Sequence, residues 1–80
     1  MIESVPNFEH EVDARGLKCP LPILRTKRAL ADMHSGEIVK VITTDPNAEK
    51  DMEIFSNQTD NPIIHKTSKD NEYIFYLRRR

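Results

Sequence analysis

One short run of this chain has residue types and spacing suited to covalent chemistry: Cys19, Pro20, Leu21 and Pro22, with Arg15 and Lys18 just before it. Cys19 is the only cysteine. A single thiol excludes an internal disulfide, and in a reducing compartment it is either inert packing or a reagent. The prolines help decide. Proline costs about 3 kcal/mol inside a helix but is tolerated in the first turn, where its missing N–H had no partner. They therefore mark a helix start and make Cys19 its N-cap residue. A thiol there feels the positive end of the helix dipole, and Arg15 and Lys18 add positive charge, so a lowered pKa is expected. The shift should be moderate, because Pro20 and Pro22 leave Leu21 as the one early N–H donor. The prolines also stiffen the turn, so the sulfur stands clear of the surface where a partner's catalytic residue can reach it.

Other thiol chemistries fit less well. A thiol–disulfide oxidoreductase needs a second, resolving thiol, usually at Cys-x-x-Cys spacing. A cysteine hydrolase needs a histidine base oriented by a third group, and no signature ties His34 or His65 to Cys19. His34 lies roughly 20 Å away by helix rise. A thiol peroxidase would require Cys19 to turn over small substrates alone. His10, His34 and His65 are scattered without the close spacing of metal-ligand sets, so no metal is expected. No cofactor is called for either.

The net charge of −1 hides an asymmetry. Between Ala14 and Ala31 the charged residues are Arg15, Lys18, Arg25, Lys27 and Arg28, with no acid among them, whereas acids dominate from Asp45 to Asp60. Such a patch around Cys19 attracts an acidic protein surface, an anionic ligand or nucleic acid. These five cations and Asp45 are the candidate partner-binding residues. The plainer alternatives are a solvated helix face for the cations and a helix cap for Asp45. A nucleic-acid-binding or regulatory module is the alternative function. Near-neutral charge and few aromatic residues speak against it, so no direct nucleic-acid contact is expected. Arg78, Arg79 and Arg80 read as a solvated end.

The elements that must position Cys19 follow from hydrophobic periodicity. Eighty residues, 38% apolar and 31% charged, suffice for one domain with a thin core, and a monomer is expected. The first seven residues read as a loose tail, and Phe8, His10 and Val12 alternate with acids as a strand until Gly16 breaks it. From Pro20 to about Ser35, Ile23, Thr26, Leu30 and Met33 recur at helical spacing, with Gly36 as the expected C-cap. Ile38 to Thr44 is a β-branched strand, with Lys40 marking a wet face. Asp45 and Pro46 open a second helix that turns Ala48, Met52 and Phe55 inward. Ile63 to Thr67 and Glu72 to Arg78 form a hairpin joined by Ser68 to Asn71. The predicted fold is an α/β two-layer sandwich, β-α-β-α-β-β, a four-stranded mixed sheet with both helices on one face. Nothing at the N-terminus looks like a secretory signal, and no apolar run approaches the roughly 20 residues that span a bilayer, so the cytoplasm is the expected compartment and no membrane the expected partner.

The stretch VDARGLKCPLPILRTKRALADM, Val12 to Met33, resembles the signature of the TusA/SirA-like sulfur carrier family. Asp13, Gly16, Leu17, Cys19, Pro20 and Pro22 match its Cys-Pro-x-Pro motif. Gly36 matches the glycine after the first helix, and Asp45, Pro46 and Asp51 match an Asp-Pro…Asp segment. Asp60, Asn61 and Pro62 depart from it, standing where a glycine is common. The resemblance implies a fold like the C-terminal domain of translation initiation factor 3. It also implies a cysteine that accepts persulfide sulfur from a donor protein, a cysteine desulfurase or rhodanese type, and relays it to an acceptor protein. Family acceptors differ: tRNA 2-thiouridine synthesis, sulfur oxidation and molybdenum cofactor synthesis are all served. Such a protein is a sulfur-transfer carrier rather than a stand-alone enzyme.

Overall fold

A computed structural model describes residues 5–80. Its elements are β1 (His10–Ala14), α1 (Leu21–Ala31), β2 (Ile38–Thr43), α2 (Ala48–Thr59), β3 (Ile63–Lys69) and β4 (Glu72–Arg78). The strands form one sheet in the order β1-β2-β4-β3, with β1 and β2 parallel and the other two pairings antiparallel. The sheet is mixed and the element order is the predicted one. The first four positions of the expected N-terminal tail lie outside the described residues; residues 5–7 carry no regular structure.

Both helices pack on one face of the sheet and against each other. That face is built by alternation, because a strand points successive side chains to opposite sides. Val39 and Val41 of β2 pair with Leu77 and Phe75 of β4, and all four are buried with Leu30, Met33, Ala48, Met52 and Phe55 from the helical layer. On the other face Ile42 and Tyr76 are also buried. Phe8 is not part of β1; its ring packs on Tyr76, 6.2 Å between centroids, while the Lys40 ammonium sits 5.3 Å from the Phe8 ring centre. The face that Lys40 marks as wet is thus partly covered by an aromatic residue from the segment before β1.

Several boundaries differ from those read in the sequence. α1 ends at Ala31 rather than near Ser35, with Asp32 as C-cap. The carbonyl of Leu30 accepts a hydrogen bond from Arg79 Nε at 2.9 Å, so the helix end is satisfied from the far end of the chain. Gly36 is therefore not the C-cap. It sits at φ +89° in the turn that enters β2, where a side chain would be strained, and its N–H donates to the Arg79 carbonyl. Arg79 is thus structural, not a solvated end. The hairpin loop is shorter than expected: β3 runs to Lys69, and only Asp70 and Asn71 turn the chain, at φ +55° and +66°. Two left-handed residues in a two-residue loop match the right-handed twist of the strands. Asp60, also left-handed at φ +60°, closes α2, which is where a glycine would be comfortable.

Among the described residues, no helix is long and apolar enough to cross a membrane.

Candidate functional site

Because β1 and β2 are parallel, the loops that follow them leave the sheet at the same end. That placement brings the segment Arg15 to Pro20 beside the segment Thr44 to Asn47, at the position where open sheets with parallel strands commonly carry their sites. Two hydrogen bonds join them. The Gly16 N–H donates to Thr44 Oγ1 at 2.9 Å, and the Cys19 N–H donates to Asp45 Oδ2 at 2.8 Å. Gly16 turns the chain out of β1 at φ +81°, a conformation that an L side chain rarely adopts. An open groove of about 510 Å³ runs between the two loops, and Cys19, Lys18 and Asn47 are among the residues that line it.

Cys19 itself is exposed. It does not cap α1. Pro20 is the N-cap residue, the Cys19–Pro20 peptide bond is cis, and Leu21 begins the helix with its N–H on the Lys18 carbonyl at 2.8 Å. Pro22 stands in the first turn and is buried, and its carbonyl also accepts the hydroxyl of buried Thr26 at 2.8 Å. The two prolines thus belong to the helix start as read from sequence, but the sulfur stands one residue outside it.

That displacement matters for the thiol's charge. The expected lowering of the Cys19 pKa does not occur. The Asp51 carboxylate, beside the thiol and able to accept its hydrogen, pushes it above the ordinary value, and slight desolvation and the charges of Asp51 and Asp45 act in the same direction. Arg15 does not offset them, because its guanidinium is committed elsewhere: Nε lies 2.9 Å from Asp13 Oδ1 and Nη1 3.4 Å from Glu72 Oε2. Asp13 is in turn held down to about 2, chiefly by the Arg15 guanidinium and then by the Arg15 N–H. Asp51, read from sequence mainly as a solvated acid of α2, is thus the group that most shapes the thiol.

The remaining cations are placed differently. Lys18 lies next to the sulfur, and Arg25, Lys27 and Arg28 are exposed on α1. None of these four forms an ion pair among the described residues. On the same helix Leu21 and Leu24 are 44% and 51% exposed. Asp45, by contrast, is 8% exposed, with both carboxylate oxygens engaged inside the protein. It does not open α2 directly: its Oδ1 accepts the Asn47 N–H at 3.1 Å and its carbonyl accepts the Ala48 N–H at 2.9 Å, so the helix starts after this turn with Asn47 as N-cap. His10 and His34 gather on the Glu37 carboxylate beyond the opposite end of α1 from Cys19, and His65 packs edge-on against Tyr76 in β3. Among the described residues, no cluster of three or more His, Cys, Asp or Glu is placed to hold a metal ion.

An open, single-thiol site on a four-stranded sheet with two helices on one face defines a class of small thiol proteins. Residues 10–79 match the family model described as Sulfurtransferase TusA, and the chain belongs to that family. It is 41% identical over 73 residues to the sulfur carrier protein TusA of Allochromatium vinosum, covering 91% of this chain and 96% of that one. It is 29% identical over 68 residues to the sulfur carrier protein TusA of Pseudomonas fluorescens, covering 85% and 82% of the two chains. The crystal structure of a SirA-like protein from Desulfitobacterium hafniense has the same fold, with a TM-score of 0.78 at 22% identity over 88% of this chain and 96% of that one.

Proposed function

We propose that this protein is a cytoplasmic sulfur carrier that takes a sulfur atom as a persulfide on Cys19 and passes it to an acceptor protein. The observation that carries the reading is the exposure of Cys19 beside an open groove, on a loop fixed by a proline-started helix. Relatives named as sulfur carriers support it. The chemistry needs no net oxidant. Cys19 Sγ attacks the outer sulfur of a donor's persulfide; the donor's S–S bond breaks as the new one forms, and the thiol proton of Cys19 ends on the donor's departing thiolate. The reverse sequence of bonds delivers the sulfur to the acceptor.

The donor is a protein of the cysteine desulfurase or rhodanese type, and the acceptor a protein in a sulfur-using route such as tRNA 2-thiouridine synthesis. Docking falls to the exposed leucines Leu21 and Leu24, flanked by Lys18, Arg25, Lys27 and Arg28. Apolar residues at the centre of a contact supply burial, and free cations around them select an acidic partner surface and raise the encounter rate. The test is a relay: sulfur from labelled cysteine, supplied through a desulfurase, should reach Cys19 in a bond that reductant breaks, and Cys19→Ser should carry no label. Salt-dependent RNA binding that survives Cys19→Ser would instead favour a nucleic-acid module.

A further inference from the structure

Asp45 is an unusual cap. Its carboxylate is held from one side by the Asn47 N–H, its own N–H donates to Thr43 Oγ1 at 3.0 Å, and from the other loop it receives the Cys19 N–H. A neutral asparagine could accept the same hydrogen bonds and would lose less on burial, because a charge removed from water costs more than an amide. Yet the residue is 8% exposed, and among the described residues no Lys, Arg or His pairs with it. The charge exceeds what the turn requires. What it has close by is the cysteine, with the Asp51 carboxylate on α2 also facing the sulfur and Lys18 along the groove.

We propose that Asp45 is a positioning residue for sulfur transfer: it fixes the main chain of Cys19 against the start of α2 and holds an uncompensated negative charge beside the sulfur, so that Cys19 reacts with a docked partner and not with thiol reagents in free solution. The proposal rests on the sulfur-carrier reading. The thiolate, not the thiol, is the nucleophile, so a sulfur kept protonated at rest is protected from mixed disulfides and peroxides although it is exposed. A docked partner that brings a cation or a proton acceptor to the groove removes that restraint.

The test compares Asp45→Asn, which keeps an acceptor and removes the charge, with Asp45→Ala, which removes both. Three readouts are taken on the full chain: hydrogen exchange of the Cys19 amide, the rate of iodoacetamide alkylation against pH, and sulfur uptake from a cysteine desulfurase supplied with cysteine. Asp45→Asn should keep the amide protected and move the alkylation profile to lower pH, with a rate at neutral pH at least about threefold higher, the size of a half-unit change in thiol pKa. Asp45→Ala should expose the amide to exchange at least about tenfold faster, because the loop loses its tether, and should take up sulfur about tenfold more slowly. An alkylation profile unchanged in Asp45→Asn, or an amide equally protected in a folded Asp45→Ala, overturns the proposal. If Asp45→Ala fails to fold, Asp45→Asn alone decides the role of the charge. Wild-type protein that takes no sulfur from any donor defeats the carrier reading, while exchange and alkylation still report whether Asp45 positions and restrains the cysteine.

Discussion

Arg79 Nε donates a 2.9 Å hydrogen bond to the carbonyl of Leu30 in the last turn of α1, residues 49 positions apart in the chain. The helix that Cys19 leads into is therefore tied at its far end by the residue after β4, whose backbone also pairs with Gly36 and Glu37. A cation at a helix C-terminus is favourable for the dipole as well as for the open carbonyl.

Arg79→Ala should accordingly lower stability by about 1–2 kcal/mol, seen as a lower urea midpoint with an unchanged slope. Arg79→Lys should recover only part of the loss, because an ammonium lacks the planar fork. A midpoint equal to wild type in Arg79→Ala would show the bond to be incidental.

The thin core makes single truncations costly. Phe75 is 2% exposed on the central strand β4, and Phe75→Ala should remove about 3–5 kcal/mol, much of what a domain of this size possesses. Thr26 is fully buried with its hydroxyl on the Pro22 carbonyl, so Thr26→Val, which keeps the shape and loses the hydrogen bond, should cost about 1 kcal/mol. Denaturant titration of both variants checks the ranking.

Acid should destabilise the fold through two exposed carboxylates. Asp13 is held at about 2 by Arg15, and Glu37 is lowered by the His34 N–H and by His10. Groups with depressed folded values contribute above their unfolded values, near about 4, and lose that contribution as pH falls through the folded ones. The melting temperature should therefore drop between about pH 4 and pH 2, and Asp13→Asn should flatten the decline; an equally steep decline in that variant would contradict the assignment.

Cys19 should be a sluggish nucleophile for a thiol so exposed. Its iodoacetamide rate at neutral pH should fall below that of a cysteine in a short peptide, and Asp51→Asn should speed it at least about threefold. A wild-type rate above the peptide's would mean that Lys18 and the α1 terminus govern the sulfur after all.

Charge reversal on the outer face of α1 should separate docking from folding. Arg25→Glu with Arg28→Glu should leave the melting temperature close to wild type, since neither cation is paired among the described residues, yet slow sulfur uptake from a desulfurase by about tenfold at low salt. The difference should shrink as salt rises. Uptake unaffected at low salt would place the docking face elsewhere.

The parts of this molecule legible in its sequence are those set by local rules. Alternation gave the strands, the spacing of Ala48, Met52 and Phe55 gave the buried side of α2, and Cys19 with its two prolines marked a helix start and its reactive group. What stayed hidden depends on partners distant in the chain. Nothing near Ala31 says that Arg79 will close the helix there, and the run of cations around Cys19 does not show that Arg15 will turn to Asp13 and Glu72. The thiol's direction of shift was missed for the same reason: Asp45 and Asp51 reach the sulfur only because β1 and β2 run parallel and leave the sheet together. A topological reading of that pairing, placing the loop after β2 against the loop after β1, is the signal that would have found Asp45.

The central claim is tested most directly by the intact mass of the protein after incubation with a cysteine desulfurase and cysteine. The account predicts a gain of one sulfur atom, mapped to the peptide holding Cys19, removed by reductant and absent in Cys19→Ser. Wild-type protein whose mass stays unchanged with every desulfurase and rhodanese donor tried, while its thiol remains free to alkylation, would contradict it.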